Sequence, residues 1–289
     1  MLFRSYLEAA GWLRHAHVWI HPWDLALRDH GLTGSYAVAA FSDRLATELP
    51  STVAQESGLD AAPSDVVVNQ ALRLARLWRR LAELRTWRPL ADAAILREAL
   101  RSLGCRVPDE AEIADWLASV RMLERGPVLI RAGRAARDWM NRSGVEERNP
   151  DGLFLAACLW REKAARPPIS LPFWSAPEQR HHRLALHFGL EWMADFLDCV
   201  AAAAAIGLRE LDRLREAEEK GRLLGSTARS RLPDALDAML RAPIVTARSL
   251  ARSLHVTPQA ALGLLRHLLT AGIVREATGR ASWRAFALA

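Results

Sequence analysis

The sequence predicts a mainly α protein, with a helical N-terminal body followed by a C-terminal winged helix-turn-helix carrying a small β-hairpin wing. Three observations support this. Apolar residues recur at three- and four-residue spacing through nearly every long segment, the period of amphipathic helices. From Arg231 onward the chain breaks into a short helix, a tight turn, a second helix and an Arg-rich hairpin, each with its own start and stop residues. The formal net charge of +6 also lies there: nine arginines and three acids follow residue 228, which leaves the first 228 residues neutral.

The elements follow in order. Residues 1–60 have mixed periodicity; Thr33-Gly34-Ser35 reads as a turn before another helix, and Ser51–Pro63 as a loop. Ser64–Thr86 opens on a Ser/Asp cap and carries Val68, Leu72, Ala75, Leu77, Trp78, Leu81 and Leu84 on one face. Leu90–Leu103 and Pro108–Met122 repeat the pattern, with Cys105 in the turn between them. Pro127–Ile130 reads as a strand or a loop, and Arg131–Asn141 as a helix. Leu153–Ala165 is the next helix, closing a helical N-terminal region over 1–165.

Residues 166–180 form a Pro-rich connector with Pro167, Pro168, Pro172 and Pro177. Each proline lacks an amide proton and restricts its predecessor, so this stretch is expected to be extended, with Phe173 and Trp174 docked on a neighbour. Residues 181–224 form a long helical segment, with Gly189 and Gly207 as the candidate breaks. Gly221–Arg231 reads as a linker into a terminal domain at 225–289.

In that domain Pro233–Leu240 is the first helix, Ile244-Val245 a minimal strand, and Thr246 the cap of a helix over Ala247–Leu254 with Leu250, Ala251 and Leu254 facing inward. Thr257-Pro258 is a cap followed by proline at the first helical position, and Gly272 is the expected left-handed terminator. Ala261, Leu265, Leu268 and Ile273 form the core stripe of this second helix. Its other face holds Gln259, Ala260, Gly263, Arg266 and His267. Small residues at 260 and 263 allow close approach to a DNA groove, while Gln259 and Arg266 suit base edges. Thr246, Arg248 and Thr257, at the starts of the two helices, belong to the same candidate DNA-binding set, and the amide-bearing N-terminus of the second helix suits a phosphate. The hairpin places Arg280 at its tip and Arg284 on its second strand, for backbone or minor-groove contacts.

Other candidate sites have ordinary structural explanations. His15, His17 and His21 lack a carboxylate-plus-His metal signature, and His181, His182 and His187 open a helix. Glu191, Asp195 and Asp198 share a helical face, which reads as solvated. Most of the eleven tryptophans sit on apolar stripes and belong to the core, while Trp12, Trp19 and Trp23 suit an interface. No phosphate-binding glycine loop, nucleophile elbow or metalloprotease motif occurs, so no enzyme, cofactor or metal is expected. Three scattered cysteines (Cys105, Cys158 and Cys199) give no disulfide framework and suit a reducing, cytoplasmic setting. The N-terminus lacks a signal-type apolar core, and no run is long enough to span a membrane.

The segment from Ser230 to Phe286 (SRLPDALDAML through ASWRAF) resembles the C-terminal helix-turn-helix domain of an uncharacterised family found in rhizobia. It is also similar to the winged helix that ends many Fic-family proteins, though the HxFxDGNGR-like catalytic loop of that family is missing and its activity is not carried over. In the rhizobial family a stretch similar to HVWIHPWDLALRDHGLTGS occurs near the N-terminus. The resemblance implies DNA binding and no established activity. The expectation is a protein that binds double-stranded DNA as a transcriptional regulator, with the helical body as a dimerisation, sensing or partner surface. The alternative is an interaction subunit of a DNA-maintenance or defence complex, whose winged helix contacts protein.

Overall fold

A computed structural model describes residues 2–15, 18–32, 65–83, 86–104, 107–123, 125–143, 150–163, 170–177, 180, 184, 189–224, 230–278 and 284–289. These fall into two compact units. One gathers Phe3–Trp19 with Ser64–Gly207, and the other gathers Ile20–Pro63 with Leu208–Ala289. The architecture is mainly α, with a three-stranded antiparallel sheet near the C-terminus.

The first unit contains α1 (Leu2–His15), α3 (Asp65–Glu83), α4 (Ala93–Leu103), α5 (Glu110–Met122), α6 (Val128–Ser143), α7 (Asp151–Lys163) and the start of α8 (Leu190–Leu224). Asp92 and Asp109 cap α4 and α5 by accepting from Ala94 N at 2.7 Å and Glu112 N at 2.8 Å. The two helices therefore start two or three residues later than the apolar pattern suggests. Pro127–Ile130 is neither strand nor loop: Val128 begins α6, and the Arg131 amide already bonds the Pro127 carbonyl. A short apolar run cannot be told from the first turn of a helix by periodicity alone.

Tryptophans dominate this core. Trp116 and Trp139 meet edge to face with centroids 5.1 Å apart. Their indole N–H groups donate to the Ala135 carbonyl and to the Asp151 carboxylate, the latter at 2.9 Å. The described part of the Pro-rich segment, residues 170–177, is docked as expected: Phe173 and Trp174 are buried, and Phe173 stacks on Phe196 at 5.6 Å. What holds it is a buried carboxylate on α1. Glu8 accepts from the amides of Phe173 (2.8 Å) and Trp174 (2.6 Å) and from Ser175 Oγ (2.6 Å). Burial pushes this carboxyl above its ordinary range, while the three hydrogen bonds and Arg4 oppose the rise. One turn on, Gly11 faces the Trp174 carbonyl so closely that a Cβ would sit 1.8 Å from its oxygen.

The long helix α8 starts after Gly189, which takes φ +66°, and runs through Gly207 without a break. Asp195 is buried rather than solvated, and Asp198 pairs with Arg180.

The second unit contains α2 (Pro22–Asp29), the end of α8, α9 (Leu232–Arg241), β1 (Val245–Thr246), α10 (Ala247–Leu254), α11 (Pro258–Thr270), β2 (Val274–Glu276) and β3 (Ala285–Leu288). The expected linker at Gly221–Arg231 is helical through Leu224. Gly221 is buried where α8 meets α9, and a Cβ there would lie 2.2 Å from Leu236 Cδ2. In sequence this glycine marks a linker. In the structure it permits a helix crossing.

Candidate nucleic-acid interface

The order α9–β1–α10–α11–β2–β3 is a winged helix-turn-helix, and its parts follow from local chemistry. Thr246 and Ser249 form a reciprocal cap: Ser249 N donates to Thr246 Oγ1 at 3.1 Å, and Thr246 N donates to Ser249 Oγ at 2.9 Å. The tight turn puts His255 in the left-handed region at φ 53°. Thr257 caps α11 by accepting from Ala260 N at 3.2 Å. Gly272, at φ +68°, ends it. The sheet order is β1–β3–β2, with Val245 opposite Phe286 and Val274 opposite Leu288. Phe286, fully buried, joins Leu236, Met239, Leu250, Ala261, Leu265, Leu268 and Ile273 in one core.

This packing turns the other face of α11 outward. Thr257, Gln259, Ala260, Arg266 and His267 are exposed. Gly263 is only half-buried, and a Cβ on it would meet nothing within 4 Å. The His267 ring leans back along its own helix, with Nδ1 3.3 Å from the Gly263 carbonyl. The N-terminus of α11 is a poorer phosphate site than the sequence suggests. Pro258 has no amide and Thr257 occupies that of Ala260, which leaves Gln259 N. The start of α10 offers the amides of Ala247 and Arg248.

Beside the outward face lies a groove of about 830 Å³. Arg241, Arg248, Arg252, Arg266 and Arg284 line it, around a floor that includes Ile244, Leu250 and Leu262, and no described carboxylate does. Arg241 is held by Asp237 at 2.6 Å, and Arg284 lies 3.7 Å from Glu276. Among the described residues, no ion pair within 4.0 Å occupies Arg248, Arg252 or Arg266. These three exposed guanidinium groups project from two helices without internal neutralisation.

The residues singled out from the sequence divide accordingly. Thr246, Arg248, Arg266 and Arg284 line the groove. Thr257, Gln259, Ala260, Gly263 and His267 lie outside its lining, on or near the outward face of α11. Arg280 falls outside the described residues, as do Thr33-Gly34-Ser35, Ser51–Pro63, Cys105, His17, His181, His182 and His187. Arg241 and Arg252, which the sequence does not single out, also line the groove. Arg252 had a readable signal, because it stands four residues after Arg248 and so shares its helix face.

Among the described residues, several of the other candidates have structural partners. The His21 ring caps α2, accepting from Trp23 N at 3.3 Å. Burial first, and Arg275 second, hold its pKa below the ordinary histidine value, which keeps the accepting form. Among the described residues, no group of three or more His, Cys, Asp or Glu is placed to hold a metal, and no helix is long and apolar enough to cross a membrane. Cys158 and Cys199 are buried free thiols, and burial pushes that of Cys158 well up.

Fold and surface together define a helix-turn-helix domain over α9 to β3. Residues 232–288 match a family described as an HTH DNA binding domain, so the chain carries a domain of DNA-binding type at its C-terminus. The chain is also 30% identical over 192 residues to the uncharacterized protein y4cF of Sinorhizobium fredii. That similarity covers 62% of this chain and 47% of the relative, so the chain matches about half of the relative's length.

Proposed function

We propose that this protein binds duplex DNA through residues 232–288 and acts as a transcriptional regulator rather than an enzyme. The observation that carries the reading is the convergence of Arg248, Arg252 and Arg266, without internal neutralisation, beside the exposed face of α11. Phosphate contacts position such a domain, while base edges are read by side chains reaching from the helix in the major groove. Here Arg248 and Arg252 supply backbone contacts, and Gln259 and Arg266 supply readout, with Ala260 and Gly263 allowing close approach. The helical body serves as a sensing or dimerisation surface, in a cytoplasmic protein.

Each cation that neutralises a phosphate adds roughly 0.9 to the slope of log affinity against log salt. Replacing Arg248, Arg252 and Arg266 together by Ala should therefore flatten that slope by about 1.8 for a mixed-sequence duplex, through loss of the two backbone-contacting arginines. Arg231→Ala, which removes a cation already paired with Asp234 at 3.2 Å, should change it little. Equal slopes for the triple variant and the wild type would overturn the assignment of the DNA face. For the regulatory part of the reading, the full chain should recover one sequence motif from a genomic DNA pool. Featureless recovery would leave DNA binding in place and remove sequence-specific regulation.

A second reading, a domain that contacts protein within a DNA-maintenance or defence complex, is favoured by the apolar floor at Ile244, Leu250 and Leu262. It predicts no measurable duplex affinity even at low salt.

A further inference from the structure

The groove has a wall that the helix-turn-helix itself does not provide. His30 and Leu32, about two hundred residues upstream in sequence, line it together with the arginines. They belong to the same compact unit as the winged helix and are held firmly. At the end of α2 the amides of His30, Gly31 and Leu32 bond the carbonyls of Ala26, Arg28 and Leu27 at 3.2, 3.0 and 2.8 Å, with Gly31 at φ +69°. This is the paired closure that ends a helix on a left-handed residue. The His30 ring is fixed as well, with Nδ1 2.8 Å from the Ala26 carbonyl. At the other end of the element, Trp23 lies against the wing, with the Arg275 guanidinium 5.1 Å from its ring centroid. One arginine of the wing is thereby engaged by α2, while the end of α2 reaches the groove where other arginines stand.

We infer that residues 20–32 are part of the DNA-binding surface, with His30 and Leu32 forming the edge of the groove that receives the sugar–phosphate backbone of duplex DNA. The inference rests on the DNA-binding reading above and adds to it a second, N-terminal segment of chain. The occupant is specified by charge complementarity, because five arginines and no described carboxylate line the groove. Leu32 is half-buried at this edge, so its replacement changes the charge the occupant meets while leaving the core of the unit in place.

The test uses the full chain and a labelled mixed-sequence DNA duplex, with affinity followed against salt. Leu32→Arg should tighten binding several-fold and steepen the log–log slope by about 0.9, as one more phosphate contact would. Leu32→Glu should weaken binding by about tenfold at low salt and flatten the slope. The gain in the arginine variant matters most, since misfolding cannot produce it. Arg266→Ala in parallel separates the two claims. If both Leu32 variants bind as the wild type does while Arg266→Ala weakens binding, the N-terminal segment lies off the DNA face, and the inference fails while the reading stands. If Arg266→Ala also binds normally, the DNA face is misplaced and the inference falls with it.

Discussion

Replacing Gly221 by Ala sets two opposed effects against each other, and the structure decides between them. In an exposed helix the change would stabilise by about 1 kcal/mol, because glycine costs more backbone entropy than alanine. At Gly221 the added methyl would lie 2.2 Å from Leu236 Cδ2, 3.0 Å from Cδ1 and 3.1 Å from Cγ. All three distances are shorter than ordinary van der Waals contact, so the leucine side chain must shift. Leu236 is buried in the core of the winged helix, in the same cluster as Leu232, Met239 and Leu250. Overpacking of this kind costs roughly 1–3 kcal/mol, and the depth of the overlap places this case at the upper end. Net destabilisation should be about 1–2 kcal/mol once the helix gain is subtracted. Hydrogen exchange is a suitable assay because it reports on α9 locally. Amides of Leu232–Arg241 should exchange about five- to thirtyfold faster in the variant. Exchange as slow as in the wild type, or slower, would show that 221–231 behaves as the linker its composition suggests and that the crossing with α9 is absent.

Two other perturbations probe buried carboxylates. Burial raises the Asp24 pKa from 3.8 to about 6, with Arg28 opposing the shift. The folded protein thus holds this proton more tightly than the unfolded chain, so the associated stability is complete below pH 3.8 and is lost as pH rises through about 6. Asp24→Asn should remove that pH dependence and raise stability at pH 8 by up to about 3 kcal/mol, read from urea midpoints across pH; parallel profiles for the two proteins would refute it. Glu8→Ala strands the amides of Phe173 and Trp174 and the hydroxyl of Ser175, and buried unsatisfied groups cost about 1–3 kcal/mol each. Tryptophan fluorescence during urea unfolding should show a loss of at least about 3 kcal/mol, and a loss below about 1 kcal/mol would mean that Glu8 does not hold the Pro-rich segment.

The C-terminal domain was legible in the sequence because its signals are local. Thr246 capping its own helix, Thr257 followed by Pro258, and Gly272 closing α11 act within four residues of themselves, so residue type and spacing suffice to find them. The stripe of Ala261, Leu265 and Leu268 was visible for the same reason. Location of the charge was also readable, since counting arginines needs no coordinates. Where sequence reasoning went astray, a residue had two uses that look alike locally. Gly221 can loosen a chain or admit a neighbouring helix, and Pro127–Ile130 can be a strand or the entry to a helix.

Tertiary structure alone decided which arginines converge and what stands beside them. Arg241, Arg248, Arg252, Arg266 and Arg284 come from three helices and a strand margin, and only the folded core brings them round one groove. Glu8 meets its partners across 165 to 167 residues of chain, and Trp23 meets Arg275 across a longer stretch still. Such pairings leave no periodic trace, because each is fixed by the summed packing of everything between. Sequence therefore determined that residues 232–288 form a charged helix-turn-helix. Folding determined that the N-terminal α2 completes the same unit.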